Sequence, residues 1–74
     1  MYTNWYSPPL KVDNSVIGYI DGLAITRDAW GNLHFVSIPE ELVAVGDYID
    51  LDDVTPLSAL PQPIQDRIIK EVLL

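Results

Sequence analysis

The chain contains no cysteine, so neither a disulfide nor a thiolate zinc site is open to it, and its redox compartment is left undetermined. It has one histidine, His34, and four basic residues, Lys11, Arg27, Arg67 and Lys70. A sole histidine with no positioned partner falls short of a catalytic triad, and none of Ser7, Ser15, Ser37 and Ser58 sits in a nucleophile-elbow context. There is no glycine-rich phosphate loop and no basic patch interleaved with aromatics. The longest purely apolar run, Leu42 to Val45, is far too short to span a bilayer. Met1-Tyr2-Thr3-Asn4 lacks a basic start and an apolar stretch, so no signal peptide is expected and a cytoplasmic location is the default. No cofactor is implied.

What the chain does have is acid. Eleven carboxylates against four bases leave a net charge of −7. Between Arg27 and Arg67 no base occurs, while Asp28, Glu40, Glu41, Asp47, Asp50, Asp52, Asp53 and Asp66 fall there. Such a field repels nucleic acid and anionic membranes and favours a basic protein partner. The 74 residues make one small domain with a modest core, for which oligomerisation, such as a homodimer, is a common source of added stability.

The organising stretch is Val16 to Ile38. Asp21-Gly22 lies between two β-favouring runs and predicts a two-residue type I′ hairpin, because both residues tolerate positive φ. In that register Ile20 faces Leu23, Gly18 faces Ile25 and Val16 faces Arg27. Asp28-Ala29-Trp30-Gly31 fits a type I turn closed by a glycine bulge, which places Ile25 against Phe35 and Thr26 against His34. Alternation then assigns Val16, Gly18, Ile20, Leu23, Ile25, Leu33 and Phe35 to a core face. It assigns Ile17, Tyr19, Ala24, Thr26, His34, Val36 and Ile38 to a second face, apolar enough to need covering.

Beyond the meander, Pro39 followed by Glu40 and Glu41 suits the first turn of a short helix, and Gly46-Asp47 suits a turn. Tyr48 to Asp52 alternates and reads as a fourth, edge strand, with Ile49 and Leu51 on one side and Tyr48, Asp50 and Asp52 on the other. Thr55-Pro56 reads as an N-cap and first residue of one helical turn. Pro63 opens a last helix whose Ile64, Ile68, Ile69, Val72 and Leu73 share one half. Asp66–Lys70 and Arg67–Glu71 are its expected i,i+4 pairs. Its expected dock is the core face, with Gly18 permitting close approach. The fold class expected is α+β: an antiparallel meander of three to four strands, about 15–20, 23–28, 33–38 and 47–52, with an amphipathic helix over about 63–73 packed on one face. Residues 1–10 form an extended arm rich in aromatics and proline.

The run Gly31-Asn32-Leu33-His34-Phe35-Val36-Ser37-Ile38-Pro39-Glu40-Glu41-Leu42, followed by Gly46-Asp47-Tyr48-Ile49-Asp50-Leu51, resembles the swapped-hairpin domain of AbrB-type transition-state regulators. That family shares a glycine, an apolar strand, an I-P-x-E-L stretch, then G-D and a strand. The segment between Leu42 and Gly46 is shorter than in the family, and the family's DNA-contacting arginines have no counterpart here, so DNA binding is not implied.

Function therefore reads as a non-catalytic, acidic protein-binding module, an inhibitor or adaptor that occludes a partner's surface. The expected contact residues are the aromatics Tyr2, Trp5, Tyr6, Trp30 and Tyr48 and the acids Glu40, Glu41, Asp47, Asp50, Asp52 and Asp53. Two alternatives stand beside it. In one, the carboxylates from Glu40 to Asp53 imitate phosphates and fill a basic groove, as anti-CRISPR-like or transcription-inhibiting viral proteins do. In the other, Asp50 and Asp52, on one strand face, hold a divalent metal.

Overall fold

A computed structural model describes residues 13–74, so the N-terminal arm with Tyr2, Trp5 and Tyr6 lies outside the described residues. The fold is α+β. Five antiparallel strands, rather than three or four, form one sheet in the order β4-β1-β2-β3-β5. They are β1 (Asp13–Ile20), β2 (Leu23–Arg27), β3 (Leu33–Ser37), β4 (Tyr48–Asp50) and β5 (Thr55–Pro56). Single 3-10 turns cover Glu40–Leu42, Leu51–Asp53 and Leu57–Ala59. Helix α1 (Gln62–Ile68) widens into a π-type turn over Ile69–Leu73, with Leu74 N–H donating to the Ile69 carbonyl at 3.2 Å.

The turns form as their residues dictate. Asp21 and Gly22 both adopt positive φ, and Ile20 pairs with Leu23. At the second turn Asp28 Oδ1 accepts from the Trp30 and Asn32 backbone N–H groups at 2.9 Å each. Gly31 takes φ +86° there, and Asp28 N–H donates to the Asn32 carbonyl. This aspartate supplies by side chain what the turn backbone lacks.

The β1–β2 register departs from the expected one beyond Gly18. Gly18 pairs with Ile25 as predicted, but Val16 pairs with Thr26, not Arg27, and Ser15 takes Arg27. Ile17 is the extra residue of a β-bulge. One inserted residue reverses the facing of everything before it, so Val16 moves to the second face and Ile17 packs against the helix-side core. Val16-Ile17-Gly18-Tyr19-Ile20 is apolar at nearly every position, so alternation alone could not reveal the slip.

The helix side is built on Ile25, Leu57 and Ile68, with Ile17, Ile20, Leu23, Leu33, Phe35, Leu60 and Val72 around them. Burying a side chain such as Ile68 contributes roughly 1.5–3 kcal/mol. Gly18 admits the helix as expected: a Cβ there would lie 2.8 Å from Val72 Cγ1. Arg67 pairs with Glu71 at 2.8 Å and also with Asp21 at the hairpin tip, tying α1 to the β1–β2 turn. Both acids, Glu71 foremost by its hydrogen bond, raise the affinity of the guanidinium for its proton. The expected Asp66–Lys70 pair does not form, since Asp66 Oδ1 accepts from Gln62 Nε2 at 2.8 Å instead.

The other face holds a separate buried set, Val16, Ala24, Thr26 and Asn14, each exposed by 2% or less. Its burial follows from how β4 reaches β5. In a flat sheet those strands would be roughly 19 Å apart. Only 51–54 connect them, and a 3-10 turn rises about 2 Å per residue, so the sheet must curl to bring its edges together. Small side chains such as Ala24 and Thr26 suit the inner side of that curl.

Three further expectations are corrected at this crossing. Tyr48 to Asp52 does not continue as a strand: it turns at Leu51. Asp52 therefore does not share a strand face with Asp50. Thr55 is no N-cap, since Thr55-Pro56 pairs with Phe35 and His34 as a fifth strand and the helical turn starts at Leu57. Pro56 lacks an N–H and is tolerated there because β5 is an edge.

Candidate functional site

The segment from Glu40 to Asp53, which leads into and out of the outer strand β4, holds most of the predicted contact residues. Pro39 precedes the Glu40–Leu42 turn and leaves both glutamates exposed in its only turn. Gly46, at φ +100°, then opens a bulge against β1: its N–H donates to the Val16 carbonyl, and Val16 N–H donates to the Asp47 carbonyl, both at 2.8 Å. Asp47 Oδ2 accepts from Ala44 N–H at 2.9 Å and secures the loop. β4 follows, with Asn14 opposite Ile49, Ser15 opposite Tyr48 and Asp13 opposite Asp50. The chain then turns over Leu51–Asp53.

Along this segment Glu40, Glu41, Asp47, Asp50, Asp52 and Asp53 are all exposed, and among the described residues no lysine or arginine pairs with any of them. Between them stand Tyr48, an expected contact, and three aliphatic side chains, Leu42, Val45 and Leu51, that were not among the expected contacts. Leu42 is 70% exposed, Val45 71%, Tyr48 73% and Leu51 38%. Four large hydrophobic side chains held in water within one acidic segment are the unusual feature here, because scattered single exposures are ordinary. The signal was present in the sequence as the apolar run Leu42 to Val45 inside an acidic stretch.

Trp30, 67% exposed, is apart from this run in the chain, in the turn that follows the buried Asp28. The pairing of Ser15 with Arg27 and of Asp13 with Asp50 puts that turn at the same end of the sheet as the β4 C-terminus. Tyr2, Trp5 and Tyr6 lie outside the described residues.

Across the second face runs a polar row that no sequence pattern announced. Asn14 on β1, Thr26 on β2 and His34 on β3 are buried, with Asp28 beside them. Among the described residues no hydrogen-bond partner meets Asn14 Nδ2 or Oδ1, Thr26 Oγ1 or His34 Nδ1. His34 Nδ1 stands 3.9 Å from Asp28 Oδ2, beyond hydrogen-bonding range. For Asp28, burial favours the neutral acid, but the N–H groups of Asn32 and Trp30, with His34 nearby, outweigh it and hold the carboxyl below its usual range.

His34 borders an open cleft of about 520 Å³ between β3, β5 and the C-terminal helix, shared with Leu57, Ser58 and Ile69. No hydrogen bond joins His34 to a serine among the described residues. A smaller groove of about 230 Å³ lies between the β1–β2 tip and α1, floored by Leu23, Leu60 and Ile68, with Arg67 and Asp21 at its rim. Among the described residues no group of three or more histidine, aspartate or glutamate side chains is arranged to hold a metal, and no helix is long and apolar enough to cross a membrane.

Compared with protein-family models, with curated proteins and with solved structures, the chain matches none.

Proposed function

We propose that this chain is a non-catalytic protein-binding module, an inhibitor or adaptor that acts by covering a basic surface of a protein partner with its 40–53 edge. The observation that carries this reading is the exposure of Leu42, Val45, Tyr48 and Leu51 among six carboxylates that no lysine or arginine of the described residues neutralises. Apolar area supplies affinity on burial, while rim charge selects the partner and speeds encounter. Tyr48 is the central anchor, since an exposed aromatic loses little conformational freedom when it is covered.

The same carboxylates support a second reading, a phosphate mimic seated in a basic groove of a nucleic-acid-binding protein. The two readings differ in which side chains bear the energy. Affinity capture from the native host, followed by binding measurements on the captured protein, separates them. For the binding module, Tyr48→Ala and Leu42→Ser each weaken binding about tenfold or more, as interface anchors do. For the mimic, those variants bind normally, Asp50, Asp52 and Asp53→Asn abolish binding, and affinity falls steeply with salt. Capture that is unchanged by both sets of substitutions removes the 40–53 edge from the function altogether.

A further inference from the structure

Resting on that reading, we infer that the partner contributes an extended basic segment that adds to the sheet as a strand alongside β4. Among the described residues β4 is an outer strand, bordered by β1 alone. The register says which of its backbone groups are committed. Val16 bonds across to Gly46 and Asp47. Bonded and non-bonded pairs alternate in an antiparallel ladder, so Asn14 and Ile49 exchange the next bonds. Tyr48 and Asp50 therefore direct their backbone groups away from β1. Asp50 ends β4 and leads into the 3-10 turn that starts at Leu51, so its carbonyl is left out of the ladder. This leaves Tyr48 N–H, Tyr48 C=O and Asp50 N–H on the open edge, with no partner among the described residues.

A strand laid there exchanges a pair of bonds with Tyr48 and accepts one from Asp50, the usual means by which a sheet edge captures an extended peptide. The flanking side chains decide what kind of strand it is. Tyr48 and Asp50 project to the same face, and Asp47, Asp52 and Asp53 bracket them. A second copy of this chain would set carboxylate against carboxylate across the new ladder, which is unfavourable for directly opposed like charges. At a net charge of −7 that repulsion extends to the whole molecule. A segment alternating lysine or arginine with aliphatic residues has the opposite character. Its basic side chains, all on one face, set their cations against Asp50 and their apolar stems along Tyr48, while its aliphatic side chains fall on the other face beside Ile49. The three-residue length of β4 limits the number of bonds, so backbone pairing fixes register while side chains supply most of the affinity.

The test uses the full chain and a short end-capped peptide alternating lysine and valine. Four versions are compared: unmodified, N-methylated at alternate residues on one backbone edge, N-methylated at alternate residues on the other, and with glutamate in place of lysine. Strand addition predicts that the unmodified peptide slows hydrogen exchange at the Tyr48 and Asp50 amides. It also predicts that N-methylation of the edge facing β4 weakens binding about tenfold while N-methylation of the far edge does not. The glutamate peptide does not bind. If both methylated peptides bind as well as the unmodified one, or the two amides exchange at the free rate with the peptide bound, strand addition is overturned, while loss of binding in Tyr48→Ala still upholds the 40–53 segment as a protein contact. If no lysine peptide binds and Tyr48→Ala leaves the captured partner bound, both readings fall.

Discussion

At the scale of single residues, Asp28 shows how one side chain serves two structures. Its Oδ1 caps the Trp30 and Asn32 amides and so shapes the β2–β3 turn, while Oδ2 stands 3.9 Å from the buried His34 Nδ1. Its carboxyl is held below the ordinary value of 3.8. A depressed carboxylate contributes stability that is complete above its unfolded value and is lost as pH falls through the folded one. Asp28 thus stabilises the fold at neutral pH and ceases to do so in acid below about 3.8. Asp28→Asn keeps an oxygen to accept the two amides but removes the charge. The expected outcome is a stability gap between wild type and Asp28→Asn that is constant near neutrality and closes as pH drops below 3.8, read from denaturant unfolding at a series of pH values. A gap independent of pH would show that the charge plays no part. The turn was legible from Asp28 and Gly31 alone, because its bonds are local. The polar row was not, because Asn14 and His34 lie on different strands and come to share a face only through the pairing of both with β2.

At the scale of elements, the contact between α1 and the sheet is decided by Gly18. The helix carries apolar residues around half its circumference, yet only Ile68 is fully buried, while Ile64, Ile69 and Leu73 remain substantially exposed. Gly18 sets how close the helix comes, since Val72 Cγ1 occupies the place a side chain would take. Val72 is β-branched and stiff, so it cannot swing aside at little cost. Gly18→Ala is expected to destabilise by about 1–3 kcal/mol. Val72→Ala in the same chain is expected to recover part of that loss, leaving a coupling of about 0.5–3 kcal/mol in a double-mutant cycle measured by chemical denaturation. Strictly additive effects would mean that the helix does not seat on Gly18. The amphipathic helix and its dock were visible in the sequence through its spacing and the lone strand glycine. Its widening after Ile68 was not, since neither a proline nor a glycine marks it.

At the scale of the whole molecule, one sheet is covered on one side by α1 and curled on the other. The sheet cannot stand on the curl alone, because removing α1 uncovers Ile17, Ile20, Leu23, Ile25 and Phe35 together. A chain ending before Pro61 is expected to show no cooperative thermal transition by circular dichroism, as an unsupported small sheet does. A sharp transition in that truncated chain would assign the stability to the second face. The sequence by itself determined the features that rest on local chemistry: both hairpin turns, the pairing of Ile25 with Phe35 and of Thr26 with His34, the 40–42 turn, the final helix and the excess of acid. Only the tertiary structure decided the bulge at Ile17, the fifth strand at Thr55-Pro56 and the fate of Leu51, which leaves the strand pattern to begin the crossing. Each of these is settled by a partner distant in the chain, and a residue's own conformational preference carries no record of which strand will lie beside it.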